Sequence, residues 1–209
     1  MKKRQDNDML YEIQKKDIPK AGVVLADAFQ FDPLWNKIFE GEANLEAKFR
    51  ACFETPVRFC YKYGEVYAPS DNLEGIAAYV PGSHSNMTPW RMLLSGAFLS
   101  GMRMGTHVGR KMAPVFKPLD QDRKQHMKNK EFLYLFIIGV STAHQGKGYG
   151  GKMLRHLIEQ SDSAGIPIYL ETETRDNVAM YETFGFRVLK NGILPMIDQP
   201  MWELLREPR

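Results

Sequence analysis

Cysteine is scarce in this chain, and so are long apolar runs and an excess of either charge. Only Cys52 and Cys60 occur in 209 residues. They show neither redox nor metal spacing, which excludes a disulfide scaffold and leaves free thiols as the expectation. The five histidines (His84, His107, His126, His144 and His156) fall at no ligand spacing, so no metal is expected. No segment approaches the roughly 18 apolar residues of a membrane span. Met1-Lys-Lys-Arg leads into polar Gln5 to Asp8 rather than into an apolar signal core. A cytoplasmic protein with no membrane partner is the reading. Net charge is only +3, from 28 basic and 25 acidic residues, so no polyanionic partner is demanded. Arg103 to Lys130 is locally basic. A solvated face is the first reading of it, a contact with nucleotide phosphates or an acidic substrate the second. Interleaved aromatics are missing there, so it makes no nucleic-acid platform.

What is present suffices for a core. Hydrophobic residues make up 44% and aromatic ones 11%, in a length that suits one domain spanning 1–209. Asp17 as a cap and Pro19 in the first turn start a helix that carries Val23, Val24, Ala26, Ala28 and Phe29. It should end near Phe31, where Asp32-Pro33 breaks it. Leu45, Phe49, Cys52 and Phe53 mark a second helix, closed by Pro56. Strands are predicted at Glu65 to Ala68, Gly75 to Val80, Leu133 to Val140, Ile168 to Glu171, Phe186 to Leu189 and Met201 to Leu205. Residues 81–130 form a helical insertion, with Trp90, Leu93, Leu94, Ala97, Phe98 and Met102 on one or two helices. A polar helix from Leu119 to Lys128 follows. The insertion reads as a substrate-side wall or lid; a homodimer contact and plain packing are the alternatives. The alternation after Leu133 gives an α/β fold, a mixed sheet with helices on both faces.

The most informative stretch is Gln145-Gly-Lys-Gly-Tyr-Gly150, between the apolar strand LYLFIIGV and an amphipathic helix from about Gly150 to Ala164. A glycine-rich turn feeding a helix start aims free backbone N–H groups and the positive end of the helix dipole at one point. That is a phosphate or pyrophosphate site. A nucleotide-triphosphate loop would need glycine at Ser141 and Ser or Thr at Gly148, so two positions fail. The dinucleotide pattern G-x-G-x-x-G matches at Gly146, Gly148 and Gly151, with Glu171 about 20 residues on. However, Ser141 to Gln145 intervene between strand and first glycine, and the chain left after Gly151 is too short for several βαβ units.

Gln145-x-x-Gly148-x-Gly150 after a strand ending in Val140 resembles the acetyl-CoA loop of the GNAT N-acetyltransferase superfamily. Glu171, Asn177-Val-Ala-Met-Tyr181 and Gly185-Phe186 then follow in that superfamily's order. The blocks GVSTAHQGKGYG and YLETETRDNVAMYETFGFRVL, with a late Trp202 strand, look like the puromycin N-acetyltransferase-like branch. The resemblance covers roughly the last third of the chain. It implies a GNAT-like mixed, mostly antiparallel central sheet with a splay at the fourth and fifth strands, and a direct transfer of acetyl from acetyl-CoA to a primary amine of a small molecule. No metal enters that reaction.

Such a reaction sets requirements. An alkyl ammonium has a pKa of about 10 and must lose a proton, while the departing thiolate, with a thiol pKa of about 8.5, benefits from an acid. The resemblance implies that backbone groups of Ile138, Gly139 and Val140 pair with the pantetheine arm, with Gly139 in a strand interior also reading as a bulge signal. It assigns the pyrophosphate to Gln145, Gly146, Lys147, Gly148, Tyr149 and Gly150, with Lys152 and Arg155 as candidates for the 3′-phosphate. Asp176 reads as the cap of a helix from Asn177 to Phe184, which puts Asn177 and Tyr181 at i and i+4 on one face. By resemblance Asn177 bonds the cofactor arm and Tyr181 is the general acid. The strand LYLFIIGV holds no carboxylate, so Glu171 is the candidate base. Glu173 on the same strand face, a structural role for Glu171, and a water chain are alternatives, with Tyr134 and His126 behind them. The competing function is a non-catalytic acyl-CoA-binding or interaction protein on the same fold.

Overall fold

The computed structural model describes residues 9–209, so the polar N-terminal stretch read above lies outside the described residues. A two-residue strand β1 (Tyr11–Glu12), too short for any periodicity to reveal, opens the chain and pairs with β2 (Glu65–Ala68). Helix α1 (Ile18–Ala28) has proline in its first turn and ends short of Phe31; Asp17 does not cap it, because its carboxylate accepts instead from the Tyr11 hydroxyl and Gln14 N–H. Asp32 does cap the next helix, α2 (Pro33–Phe39), accepting from the N–H of Leu34 at 2.9 Å and of Trp35 at 3.2 Å.

Helix α3 (Leu45–Tyr63) corrects one expectation, because it runs straight through Pro56. A mid-helix proline costs about 3 kcal/mol. Here Phe49, Cys52 and Phe53 before it and Val57, Phe59 and Cys60 after it are all buried on one face, which outweighs the lost bond. Strand β3 (Gly75–Pro81) then leads into the insertion. It holds α4 (Pro89–Ser95), α5 (Ala97–Met104) and α6 (Thr106–His126). The last is far longer than the polar helix expected from Leu119, and it also passes through prolines, Pro114 and Pro118. Val108, Val115, Leu119 and Arg123 lie along its buried side.

Strand β4 (Leu133–Val140), helix α7 (Tyr149–Ala164), strand β5 (Ile168–Thr172), helix α8 (Arg175–Thr183) and strands β6 (Arg187–Leu194) and β7 (Gln199–Arg206) complete the order. The sheet runs β1-β2-β3-β4-β5-β7-β6 and is antiparallel throughout except for β4 against β5. It is the mixed sheet with helices on both faces that the pattern predicts. Tyr134 and Tyr169 point to the face covered by α1 and α3, whereas Leu133, Leu135 and Leu170 pack beneath α7 and α8. Side chains of alternate residues thus serve two cores. Among the described residues no helix is long and apolar enough to cross a membrane.

Candidate active site

The site begins with a broken seam. Strand β4 pairs with β3 along its whole length, from Leu133 opposite Pro81 to Val140 opposite Gly75. Against β5 it pairs only at Leu133 and Tyr134, and beyond that the two strands diverge. Antiparallel pairing alternates, so one bond fixes the direction of its neighbours. Ser141 donates its N–H to the Glu74 carbonyl at 2.9 Å, which makes Gly139 and Ile137 the next residues bonded toward β3. The backbone groups of Ile138 and Val140 therefore face the gap. Gly139 turns its own toward Ile76 and offers none.

Gly139 also differs from its expected part as a bulge. The register slips between Ala78 and Tyr79, leaving Phe136 as the extra residue. Gly139 is instead needed for close packing, since a Cβ there would meet Ala28 Cβ and Phe29 Cε2 at 3.0 Å. Helix α1 lies directly against the strand.

The loop after β4 is pinned at its start. Thr142 donates its N–H to Asp27 Oδ2 at 2.6 Å and its hydroxyl to the same carboxylate. Gln145 donates through Nε2 to the Val140 carbonyl at 3.1 Å, closing the turn from within. Gly146 and Gly148 hold φ of +76° and +83°, and a Cβ on either would meet nothing within 4 Å. The glycines are thus required by backbone conformation, and the space beside them is open. The first helical bond of α7 comes from Lys152 N–H to the Gly148 carbonyl. The N–H groups of Tyr149, Gly150 and Gly151 are left without helical acceptors, and no acidic residue occupies the first turn. The cationic residues are less simply placed. Lys147 bonds the Ala143 carbonyl at 3.0 Å and Lys152 the Pro69 carbonyl at 3.3 Å, so both brace the loop. Arg155 lies over Gly151.

Helix α8 starts earlier than expected, with Thr174 rather than Asp176 as its cap. The Thr174 hydroxyl accepts from Asn177 N–H at 3.2 Å, and Asp176 lies inside the first turn. Asn177 Nδ2 donates to the Thr172 hydroxyl at 3.1 Å, which ties the helix to the end of β5. One turn on, Tyr181 is 5% exposed and its ring packs edge-on against Phe186. No described residue bonds its hydroxyl. Burial, and then the nearby Glu173 carboxylate, raise its pKa, so the phenol keeps its proton.

Glu171 sits on the opposite face of β5 and both its oxygens are engaged. Arg123 of α6 donates to Oε1 at 2.6 Å and the Tyr134 hydroxyl to Oε2 at 2.7 Å. Arg123 also bonds Asp120 and stacks over the Tyr134 ring at 4.2 Å. Burial pushes the Glu171 carboxyl above its ordinary range while the guanidinium opposes the shift. His126, another base candidate, stands instead 3.0 Å from Glu203, away from Glu171. Arg123 was not foreseen. Nothing in sequence links it to a strand residue 48 positions away.

Two residues on, Glu173 has a different neighbourhood. Burial, and then the nearby Asp32 carboxyl, pushes its pKa up to about 9. Its backbone carbonyl accepts from Gln199 Nε2 at 3.4 Å. Among the described residues no group of three or more potential metal ligands occurs. Two clefts lie away from the splay. One, of about 500 Å³, is bordered by Gly82, Lys124 and Phe132; the other, of about 620 Å³, by Lys37, His107 and Met196.

The family model described as the acetyltransferase (GNAT) family matches residues 92–186. An uncharacterized N-acetyltransferase of Schizosaccharomyces pombe is 29% identical over 204 residues, covering 94% of this chain and 82% of that one. Mycothiol acetyltransferase of Corynebacterium glutamicum is 28% identical over 74 residues, 34% of this chain and 25% of its own. A Corynebacterium glutamicum structure described as histone acetyltransferase HPA2 and related acetyltransferase superposes with a TM-score of 0.63 at 20% identity, covering 96% of both chains. The fold is that of the GNAT acetyltransferase superfamily.

Proposed function

We propose that this chain is an N-acetyltransferase that moves an acetyl group from acetyl-CoA to a primary amine of a small molecule by direct transfer. The observation that carries the reading is the splayed seam leading into an open glycine turn. Ile138 and Val140 present backbone groups toward the gap, and Gly146, Gly148 and the start of α7 present N–H groups one loop further on. An extended ligand with amides at one end and a diphosphate at the other fits that arrangement. When bound, acetyl-CoA supplies the activated acyl group as a thioester.

The chain's own residues do the rest. Ile138 and Val140 orient the amide arm; a backbone N–H in the gap suits an oxyanion. Gln145 to Gly150 hold the diphosphate through backbone groups, with Lys147 fixing the loop's shape rather than contributing a free charge. Asn177 keeps α8 in register with the end of β5. Tyr181, protonated and unpartnered at its hydroxyl, is the general acid toward the thiolate. Glu171 is the candidate base, acting through Tyr134, whose hydroxyl it holds. The acceptor reaches the gap between α2 and the insertion. The likeness to the puromycin-modifying branch lies in cofactor residues, so puromycin is not named as acceptor.

One observation favours a second reading. Glu171 already has Arg123 and Tyr134 on its two oxygens, as a purely structural carboxylate would, and a non-catalytic acyl-CoA-binding protein would keep them so. Thiol release from acetyl-CoA, followed over a panel of amines, decides between them. Amine-dependent release supports the enzyme; tight CoA binding with no release across the panel supports the binding protein.

A further inference from the structure

Two buried polar side chains border the cleft of about 500 Å³ with groups left unbonded. Arg123 is 5% exposed, and its Nη atoms are spent on Glu171, on Asp120 and on the Ser85 carbonyl. Its Nε is buried and has no partner among the described residues. Ser85 is 7% exposed, and its hydroxyl likewise has no bond among the described residues. Buried donors are ordinarily paired, so two unpaired ones on a single cavity call for a cause. An acceptor that enters the cavity would satisfy both.

The place and the charge of the cleft narrow what that acceptor is. The cleft lies where the end of β3, the end of α6 and the start of β4 meet, and Phe132 on its wall directly precedes β4. The glycine turn follows the other end of the same strand. Eight extended residues separate the two places by roughly 25 Å, so the cleft belongs neither to the turn nor to the splay. Arg123, Lys124 and Lys130 line it against one acidic side chain, Glu131. A cation has nothing to gain from that set, whereas a carboxylate or phosphate oxygen accepts from every one of the free donors. Phe132, Met127 and Ile166 add apolar wall, and a cavity of this size suits a small organic molecule rather than a bare ion.

We propose that this cleft is a second ligand site that takes a small organic anion, a carboxylate or a phosphate ester on an apolar body. Arg123 Nε and the Ser85 hydroxyl donate to its oxygens, and the exposed Lys124 and Lys130 supply charge at the mouth. The guanidinium that meets the anion is the one that holds Glu171, so the occupant lies one side chain from the closed end of the β4–β5 seam.

Calorimetry on the full chain with benzoate, hexanoate and phenyl phosphate is the test, with benzyl alcohol and hexanol as uncharged counterparts. Each is titrated without CoA and with saturating CoA. At least one anion should bind, the alcohols should not, and CoA should leave the anion's affinity unchanged. Ser85→Ala should weaken that anion about tenfold, and Lys130→Gln, a change on the surface, about threefold. An unchanged melting temperature without ligand checks that both variants are folded. No binding of any anion, equal binding of anion and alcohol, displacement of the anion by CoA, or wild-type affinity in both variants would each overturn the site. An anion that binds through Ser85 and Lys130 to a chain that does not bind CoA would keep this site and remove the acetyltransferase reading.

Discussion

The two ends of the β4–β5 seam differ in nearly every physical respect. At the paired end, Arg123 bonds Glu171 and Tyr134 bonds the other Glu171 oxygen, so that both carboxylate oxygens are engaged, while Arg123 Nε is left without a partner. At the parted end, Ile138 and Val140 have no partner in β5, and among the described residues the Tyr181 hydroxyl has no bond and Glu173 has no ion pair. Glu171 and Glu173 are two residues apart, yet among the described residues only the first is ion-paired. Satisfied polar groups hold a frame rigid, whereas unsatisfied ones raise the energy of the empty site and strengthen whatever completes them.

Breaking the closed end should have the largest effect. Arg123→Ala leaves Glu171 buried without its cation and should cost about 3–5 kcal/mol of stability, read as a lowered urea midpoint. A change under 1 kcal/mol would mean that Tyr134 and water suffice to hold Glu171. At the open end, Tyr181→Phe should leave stability nearly intact, because no protein bond is lost. Turnover should fall on the order of 10²-fold with CoA affinity nearly kept; undiminished turnover removes Tyr181 from the mechanism. Gly148→Ala has room for its methyl group but forces a left-handed conformation at about 1–2 kcal/mol. It should weaken CoA binding without disturbing the packing beneath the sheet.

Glu173 distinguishes the two ends by pH. Between the ordinary carboxylate range and about pH 9 the folded chain keeps a proton that the unfolded chain has released. Stability therefore falls as pH rises through that window. Glu173→Gln should melt close to the wild type at pH 5 and above it at pH 9. Identical melting curves at both pH values would place the carboxyl in water rather than against Asp32. The smallest effect belongs to Lys147→Ala, within about 0.5 kcal/mol of wild-type stability, since its bond to Ala143 lies on the surface.

The sheet was legible because LYLFIIGV and the alternating runs around it carry their period openly. The loop was legible because positive-φ glycines at a helix start have few other uses. Both are local signals. Pro56 misled for the opposite reason: local rules end a helix there, and long-range burial of α3 overrides them. Arg123 could not have been joined to β5 from spacing, because it reaches the strand from a helix of the insertion.

The bond between Asp27 and Thr142 reaches beyond the loop it anchors. Asp27 ends the same helix whose neighbouring link carries Asp32, so the donor half and the acceptor half of the molecule hang from a single peg. Recombining this chain with a cousin of different taste would therefore succeed best with junctions placed ahead of α1, inheriting Asp27 together with the segment to be exchanged. A graft cut just after Ala28 would pair a foreign link with a native tether, and misalignment of a few tenths of an ångström at Gly139 would travel straight to the strand beneath it.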